Sequence, residues 1–435
     1  MKKSIIISSL LLVVAIVIDA EQKEFPKLTG PYLGQRLPGT TPELFAPGII
    51  STGLHEGVCT FMPDGSEIIF NVLYRKPHSH SVYSSLVASR LVNGQWAPPE
   101  VLKFSGGKNL DTAPFISYDG KELFFESNRP TNRADLKNKT NIWRCSRTPA
   151  GWSDPEPLPS PINGRGNVFG PSMSSSGAFY FTLADAKGNS AIYASHFSAG
   201  KFSEPKRLPE CVNVKQGTFD GVISPDGSYY IVCVYNKEDS LGETDMYITF
   251  KNERSDWTPL KNLGKAINTE RNDGSAKISP DGKIIFFAGC LVSHNYYNDA
   301  LTYADILNNI LKPQYGNSDI YWISAEFIEA LRSRAMEGMK KDAGAPEKSK
   351  TARGPLTLAR IANSGVMLAS GKVKILIDAL FDKPPTNYRS PDPETLEKIM
   401  TGVAPSKIDM VRQHYKDIFL LRPGMPAKTF RQGRE

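Results

Sequence analysis

Two stretches decide the fold: Ile223–Val232, ISPDGSYYIV, and Ile278–Phe287, ISPDGKIIFF. Each is a short apolar segment, a Pro-Asp-Gly turn, and a run of β-branched and aromatic residues. Asp-Gly between strand-forming runs signals a hairpin, because glycine reaches the positive φ of a tight turn without a Cβ clash. Three further copies precede them: Phe61–Phe70 (FMPDGSEIIF), Ile116–Phe125 (ISYDGKELFF) and Met173–Thr182 (MSSSGAFYFT). The turn glycines Gly65, Gly120, Gly177, Gly227 and Gly282 are 55, 57, 50 and 55 residues apart. A fixed period of this size is the mark of a repeat architecture.

Two landmarks recur after each hairpin. One is an aliphatic-aromatic pair: Val82-Tyr83, Ile142-Trp143, Ile192-Tyr193, Met246-Tyr247 and Ile320-Tyr321. The other is an aromatic residue followed by proline, at Trp96, Trp152, Phe202 and Trp257. Proline donates nothing to a sheet ladder, so these segments belong at sheet edges. Four strands per repeat, the last an edge, describe a propeller blade. The predicted fold is therefore all-β, a β-propeller of about five four-stranded blades, with a small C-terminal α+β remnant. The fifth repeat has no aromatic-proline segment of its own, and Phe45-Ala46-Pro47 supplies one ahead of the first hairpin. The N-terminal strand is thus expected to complete the last blade and close the ring. A sixth, degenerate blade has room between Gly289 and Asn317.

The repeats resemble those of the TolB-like propellers, exported bacterial proteins with a WD-like Pro-Asp-Gly motif. The resemblance spans roughly residues 31–331 and implies a binding or scaffold surface within an envelope assembly. The third copy departs from the motif, with Ser175-Ser176-Gly177 in place of Pro-Asp-Gly.

Export also follows from the N-terminus. Lys2 and Lys3, an apolar run from Ile5 to Ile18 and a small residue at Ala20 form a secretory signal over residues 1–20,. The run is too short for a bilayer span, and no second one follows. A periplasmic or secreted protein with no stable membrane span after cleavage is expected. The net charge of +7 is concentrated after Leu331, where 20 basic residues face 11 acidic ones; the rest of the chain is near −2. Such a propeller lacks the positive footprint that phosphate backbones require, which excludes nucleic acid as the expected partner. The five cysteines, Cys59, Cys145, Cys211, Cys233 and Cys290, show no paired spacing, and Cys233 and Cys290 read as buried thiols,.

In a propeller the start of each innermost strand faces the central channel. Eight positions before the turn aspartate stand Glu56, Asp111, Val168, Thr218 and Asp273, with Asp220 close by. Glu56, Asp111, Asp220 and Asp273 are the candidate ligand-binding residues, a ring of carboxylates suited to a cation or to a basic or hydroxyl-rich ligand. The alternative is that they cap strand ends. No G-x-S-x-G elbow occurs, and His78-Ser79-His80 alone is too few ligands for a metal site,. No catalytic residue, metal site or cofactor is assigned.

Beyond the propeller, residues 332–355 read as a linker rich in Lys, Gly and Pro, 356–419 as a truncated segment and 420–435 as a tail. The segment resembles the opening of a metallo-β-lactamase-fold hydrolase, with Asn363, Gly365 and Val366 matching its N-x-G-V and Leu376-Ile377-Asp378 its L-I-D strand end. The T-H-x-H-x-D-H metal motif that should follow is reduced to His414 and Asp417. Two ligands leave zinc short of a catalytic set. The function expected is recognition of a protein, peptide or glycan at the propeller mouth, and the alternative is a hydrolase whose catalytic part is truncated. Mass spectrometry of the exported protein should find a new N-terminus just after Ala20; an intact Met1 in the envelope fraction would refute the signal.

Overall fold

The computed structural model describes residues 24–76, 81–137, 139–289, 312–314 and 317–344, with strand backbone at 357–361, 365–370 and 373–378. The signal segment, Cys290, most of the region proposed for a sixth blade, and His414 and Asp417 lie outside the described residues. Five antiparallel sheets are arranged as blades, each meandering outward from an innermost strand. The innermost strands are His55–Phe61, Asp111–Ile116, Asn167–Met173, Thr218–Ile223 and Gly274–Ile278. Each packs against the next, and the fifth against the first, so the ring is closed.

The hairpins fall where the period places them. In four blades the turn aspartate stitches the loop, as when Asp226 Oδ1 accepts from Ser224 Oγ at 2.6 Å and Ser228 N at 3.0 Å. In the third blade Ser176 takes this place and meets Ser174 Oγ at 2.9 Å. The turn survives because a hydroxyl can bridge the same gap, and Gly177 keeps φ at 84°,. In blades 1 to 3 the outermost strand is broken in two, as where Gln95–Trp96 and Glu100–Val101 both pair with the third strand, Val82–Val92, and the prolines between them donate nothing,.

Blade 5 consists of Gly274–Ile278, Ile284–Gly289, Asp319–Ser324 and, from the other end of the chain, Glu43–Leu44. Phe45 N continues the ladder to Ile320 O at 2.9 Å. Its ring is fully buried, 5.0 Å from Trp322 and 5.2 Å from Phe286 between centroids. Closure by the N-terminal strand is thus both a ladder and an aromatic core.

A second repeated device joins each third strand to the segment leading into the following blade. Asn163 accepts from Ile142 N at 3.1 Å and donates to Ile142 O at 2.8 Å. Asn213 does the same at Ile192 and Asn268 at Met246. Ser105 accepts from Leu86 N in the first blade, and Ser51 exchanges both bonds with Ile320 in the fifth. These five residues are 54, 58, 50 and 55 apart, in step with the turns.

Helix α1 (Phe327–Gly344) follows the last blade, so the first part of the 332–355 stretch read as linker is helical. The run FIEALRSRAMEGMKK is dominated by strong helix formers, which outweigh the glycine at 338,. Its first turns pack on blades 4 and 5 through Ile328 and Ala335, and Arg332 lies over the Phe250 ring and bonds Ser228 Oγ. The C-terminal unit contains a separate antiparallel meander, Thr357–Ile361, Gly365–Ser370 and Val373–Asp378. No helix among the described residues is long and apolar enough to cross a membrane.

Replacing Phe45 by alanine should cost about 3–5 kcal/mol, because it empties a fully packed site at the closing seam. Denaturant unfolding is the measurement, and an unchanged midpoint would show that closure contributes nothing.

Candidate functional site: the channel and its mouth

Every innermost strand slips register once near its start: between Glu56 and Cys59, Thr112 and Phe115, Phe169 and Ser172, Phe219 and Val222, and Gly274 and Lys277. A bulge re-aims the side chains around it. In four blades the first unpaired residue has positive φ, and three of these are not glycine: Ala113 at 49°, Asp220 at 47° and Ser275 at 55°. Such backbone is strained and persists where the surroundings impose it.

The consequence is a division of labour between neighbouring positions. Glu56, Asp111 and Asp273, ahead of the bulges, are each 1% exposed and bonded into their own loops. Glu56 accepts from Thr52 Oγ1 at 2.5 Å, and Asp273 from Thr269 N at 2.6 Å and Oγ1 at 2.8 Å. Asp111 accepts from Ser105 and Ser127 and pairs with Arg129 Nη2 at 2.8 Å through both oxygens. These three stand apart, each at its own seam between blades.

Asp220, on the bulge itself, is half-buried and bonds Ser275 Oγ of the next blade. Its backbone N donates to Thr182 Oγ1 of the previous blade at 2.9 Å. Its charge also acts on Glu126, which belongs to blade 2. Groups on blades two apart in a five-membered ring meet only at the axis, so Asp220 and Glu126 lie in the channel. Glu126 accepts from Thr112 Oγ1 and, at 3.0 Å, from Gly170 N. Burial, then the charge of Asp220, raises its carboxyl above the usual glutamate range,. Lys277 of blade 5, only 3% exposed, completes the group; burial lowers its ammonium, while Asp220 and Glu126 oppose that shift.

A cleft of about 800 Å³ opens beside the mouth between blades 3 and 4. Phe169 and Phe219, equivalent residues just before the two bulges, form part of its wall, with Tyr235, Asn189, Gln216, Arg207 and Lys215 around them. The next residue after Phe219 is Asp220, whose carboxylate bonds Ser275 Oγ of the following blade. No group of three or more His, Cys, Asp or Glu placed to hold a metal ion occurs among the described residues.

The sequence reading named Asp220 among its candidates and did not name Glu126, Lys277, Phe169 or Phe219. Lys277 leaves a signal when the five repeats are written in register, since the other blades carry Thr60, Phe115, Ser172 and Val222 there. Phe169 and Phe219 leave a similar one, opposite Gly57, Thr112 and Gly274.

No family model and no curated protein matches the chain. Solved structures resemble it in fold. A putative TolB from Agrobacterium tumefaciens is 12% identical, with 62% of this chain and 90% of that one covered and a TM-score of 0.37. A thermostable family-43 glycoside hydrolase is 13% identical, with 64% and 92% covered and a TM-score of 0.38. The α-L-arabinofuranosidase of Podospora anserina, solved with cellotriose, is 12% identical, with 66% and 94% covered and a TM-score of 0.36. At these values the likeness concerns the propeller architecture and carries no activity to this chain.

The mouth carboxyls give the fold a pH dependence of definite sign. Desolvation pushes Glu56 up to about 7 and Asp273 and Asp319 up to about 6. One oxygen of each is buried without a hydrogen bond among the described residues. A carboxyl raised in the folded state holds its proton more tightly there than in the unfolded chain, whose groups titrate near 4. Stability from these three should therefore fall as pH rises from about 4 to 7. Glu56→Gln should melt at or above the parent temperature at pH 7.5 and show a flatter pH profile. A mutant that loses stability at pH 7.5 would refute this account.

Proposed function

We propose that the protein is an exported recognition module that takes a glycan chain into the cleft and presents one end of it to the channel. The observation that carries this reading is the cleft walled by Phe169 and Phe219, with Asp220 next in sequence to Phe219 on the bulge. Aromatic faces suit the C–H faces of sugar rings. Carboxylates, threonine hydroxyls and an ammonium together both accept from and donate to hydroxyl groups. The cleft volume is of the size that holds an oligosaccharide of a few rings or a comparable small molecule. In this reading Asp220 contacts ligand, while Glu56, Asp111 and Asp273 hold the mouth loops in register. The bulge strain at Asp220 and Ser275 is consistent with a site set up before binding.

A glycan array followed by titration calorimetry tests it. Phe169→Ala and Asp220→Asn should each weaken the best oligosaccharide by about tenfold or more, ~1.4 kcal/mol, with melting temperature little changed. Binding of unfolded peptides or an envelope protein, with no oligosaccharide bound at millimolar concentration, would replace the glycan by a polypeptide partner.

A further inference from the structure

Blades 1, 4 and 5 carry Pro-Asp-Gly at the turn that ends the innermost strand, whereas blades 2 and 3 carry Tyr118-Asp119-Gly120 and Ser175-Ser176-Gly177. The two departures face each other across one seam. At three other seams the turn glycine receives the preceding blade: Pro63 lies 3.3 Å from where a Cβ at Gly120 would stand, Ser174 3.7 Å from that point at Gly227, and Pro225 3.8 Å from it at Gly282. Between blades 5 and 1 the Tyr32 ring covers the join, 6.1 Å from Phe286 and 5.1 Å from Phe61. The seam between blades 2 and 3 has neither device among the described residues. The nearest groups to Gly177 are Phe197 and His196 of its own blade, and Tyr118 turns away to blade 4, with its hydroxyl 3.4 Å from Ile223 O. A cavity of about 460 Å³ opens there, on the face opposite the mouth.

The lining is one-sided in charge. Asp119 and Glu122 stand on the blade-2 wall, Ser174, Ser175 and Ser176 form the blade-3 wall, and no basic residue among the described residues lines the cavity. Lys121 Nζ and Arg144 Nε approach these carboxylates only to 3.6 and 3.8 Å, too far for a direct hydrogen bond,. Glu122 Oε2 accepts from Ser146 Oγ at 3.2 Å, and Oε1 accepts no hydrogen bond among the described residues. Ser175 is held by its backbone N to Pro225 O at 2.8 Å, which leaves its exposed hydroxyl at the rim. Phe197, half-buried, supplies an aromatic surface.

We propose that this cavity receives the arginine side chain of a polypeptide partner, its guanidinium pairing with Glu122 and stacking on Phe197. A guanidinium offers a carboxylate two parallel N–H groups and lies flat on an aromatic ring, which an ammonium cannot do. The space is that of a ligand pocket and exceeds what a guanidinium head fills, so the side chain enters with main chain beside it, within reach of the Ser175 hydroxyl,. Burial raises the Glu122 carboxyl above the usual glutamate range, and a bound cation would reverse that,. This site lies at the other end of the ring from the cleft, so it goes beyond the glycan reading and does not depend on it.

The full-length protein is titrated by calorimetry at low ionic strength with the blocked tripeptide acetyl-Gly-Arg-Gly-amide, its lysine and glutamine counterparts, and methylguanidinium. The arginine peptide should bind about tenfold or more tighter than the glutamine peptide and methylguanidinium, with the lysine peptide in between. Glu122→Gln should weaken the arginine peptide by a similar factor, and Ser175→Trp, which fills the cavity from an exposed position, should abolish its binding, both with melting temperature unchanged. Equal affinity for the arginine and glutamine peptides, or no response to the two substitutions, would overturn the site. A lysine peptide as tight as the arginine one would refute the stacked guanidinium, and methylguanidinium as tight as the peptide would refute the polypeptide occupant. Oligosaccharide titrations of the same variants should match the parent, so failure here leaves the cleft reading standing.

Discussion

The hydrogen bonds between Ser51 and Ile320, with the Phe45 ladder beside them, hold together two parts of the chain 269 residues apart. Everything at the centre of the molecule depends on that seam. A propeller channel exists only while its blades are held at a fixed angle to one another, and an open ring would let blades 1 and 5 separate. Tyr32, Phe45, Phe61, Phe286 and Trp322 fill the seam with rings from three separate regions of the sequence. Closure also leaves no unpaired blade at the ends, where an exposed edge strand would otherwise recruit other chains.

The same seam decides which polar groups can share the axis. Asp220, Glu126 and Lys277 come from blades 4, 2 and 5, and no pair of them is close in sequence. Their mutual influence is a product of closure, and so is the burial that shifts Glu126 and Lys277 in opposite directions. The bulges supply the local part: by turning the backbone of each inner strand, they send Asp220 and Ser275 toward the axis and leave Asp273 facing its own loop.

The blades were legible in the sequence because their signals are local. A turn glycine, an apolar-aromatic pair and an edge proline each act within a few residues, and repetition makes them unmistakable. Ring closure was legible as an absence, the fifth repeat's missing edge. The site was read only in part. Counting back from the turn found the strand starts, but the bulge shifts the direction of the side chains two positions later, so Glu56, Asp111 and Asp273 were placed on the channel and are found bonded into their loops. Glu126 and Lys277 lie within strand-forming runs, where a single charge reads as the solvated face of an alternating strand. The clamp residues Ser105, Asn163, Asn213 and Asn268 were missed because asparagine and serine between strands read as ordinary loop chemistry.

The clamps differ in how far they reach along the chain. Asn163, Asn213 and Asn268 each grip a strand 21 or 22 residues away, so they can form as soon as their own blade emerges. Ser51 must wait for Ile320. By loop-closure entropy, drawing in 269 residues instead of 21 costs about 2 kcal/mol more,. Among the five clamps it is also the one with the greatest sequence separation, the kind of contact that slows folding most,. A chain delivered from its N-terminus would therefore assemble blades 1 to 4 in order and hold Phe45 and Ser51 unpaired until its fifth blade arrived. The last event of folding is then the one that builds the channel, and a molecule cut short before Ile320 would have four blades, an open edge and no axis.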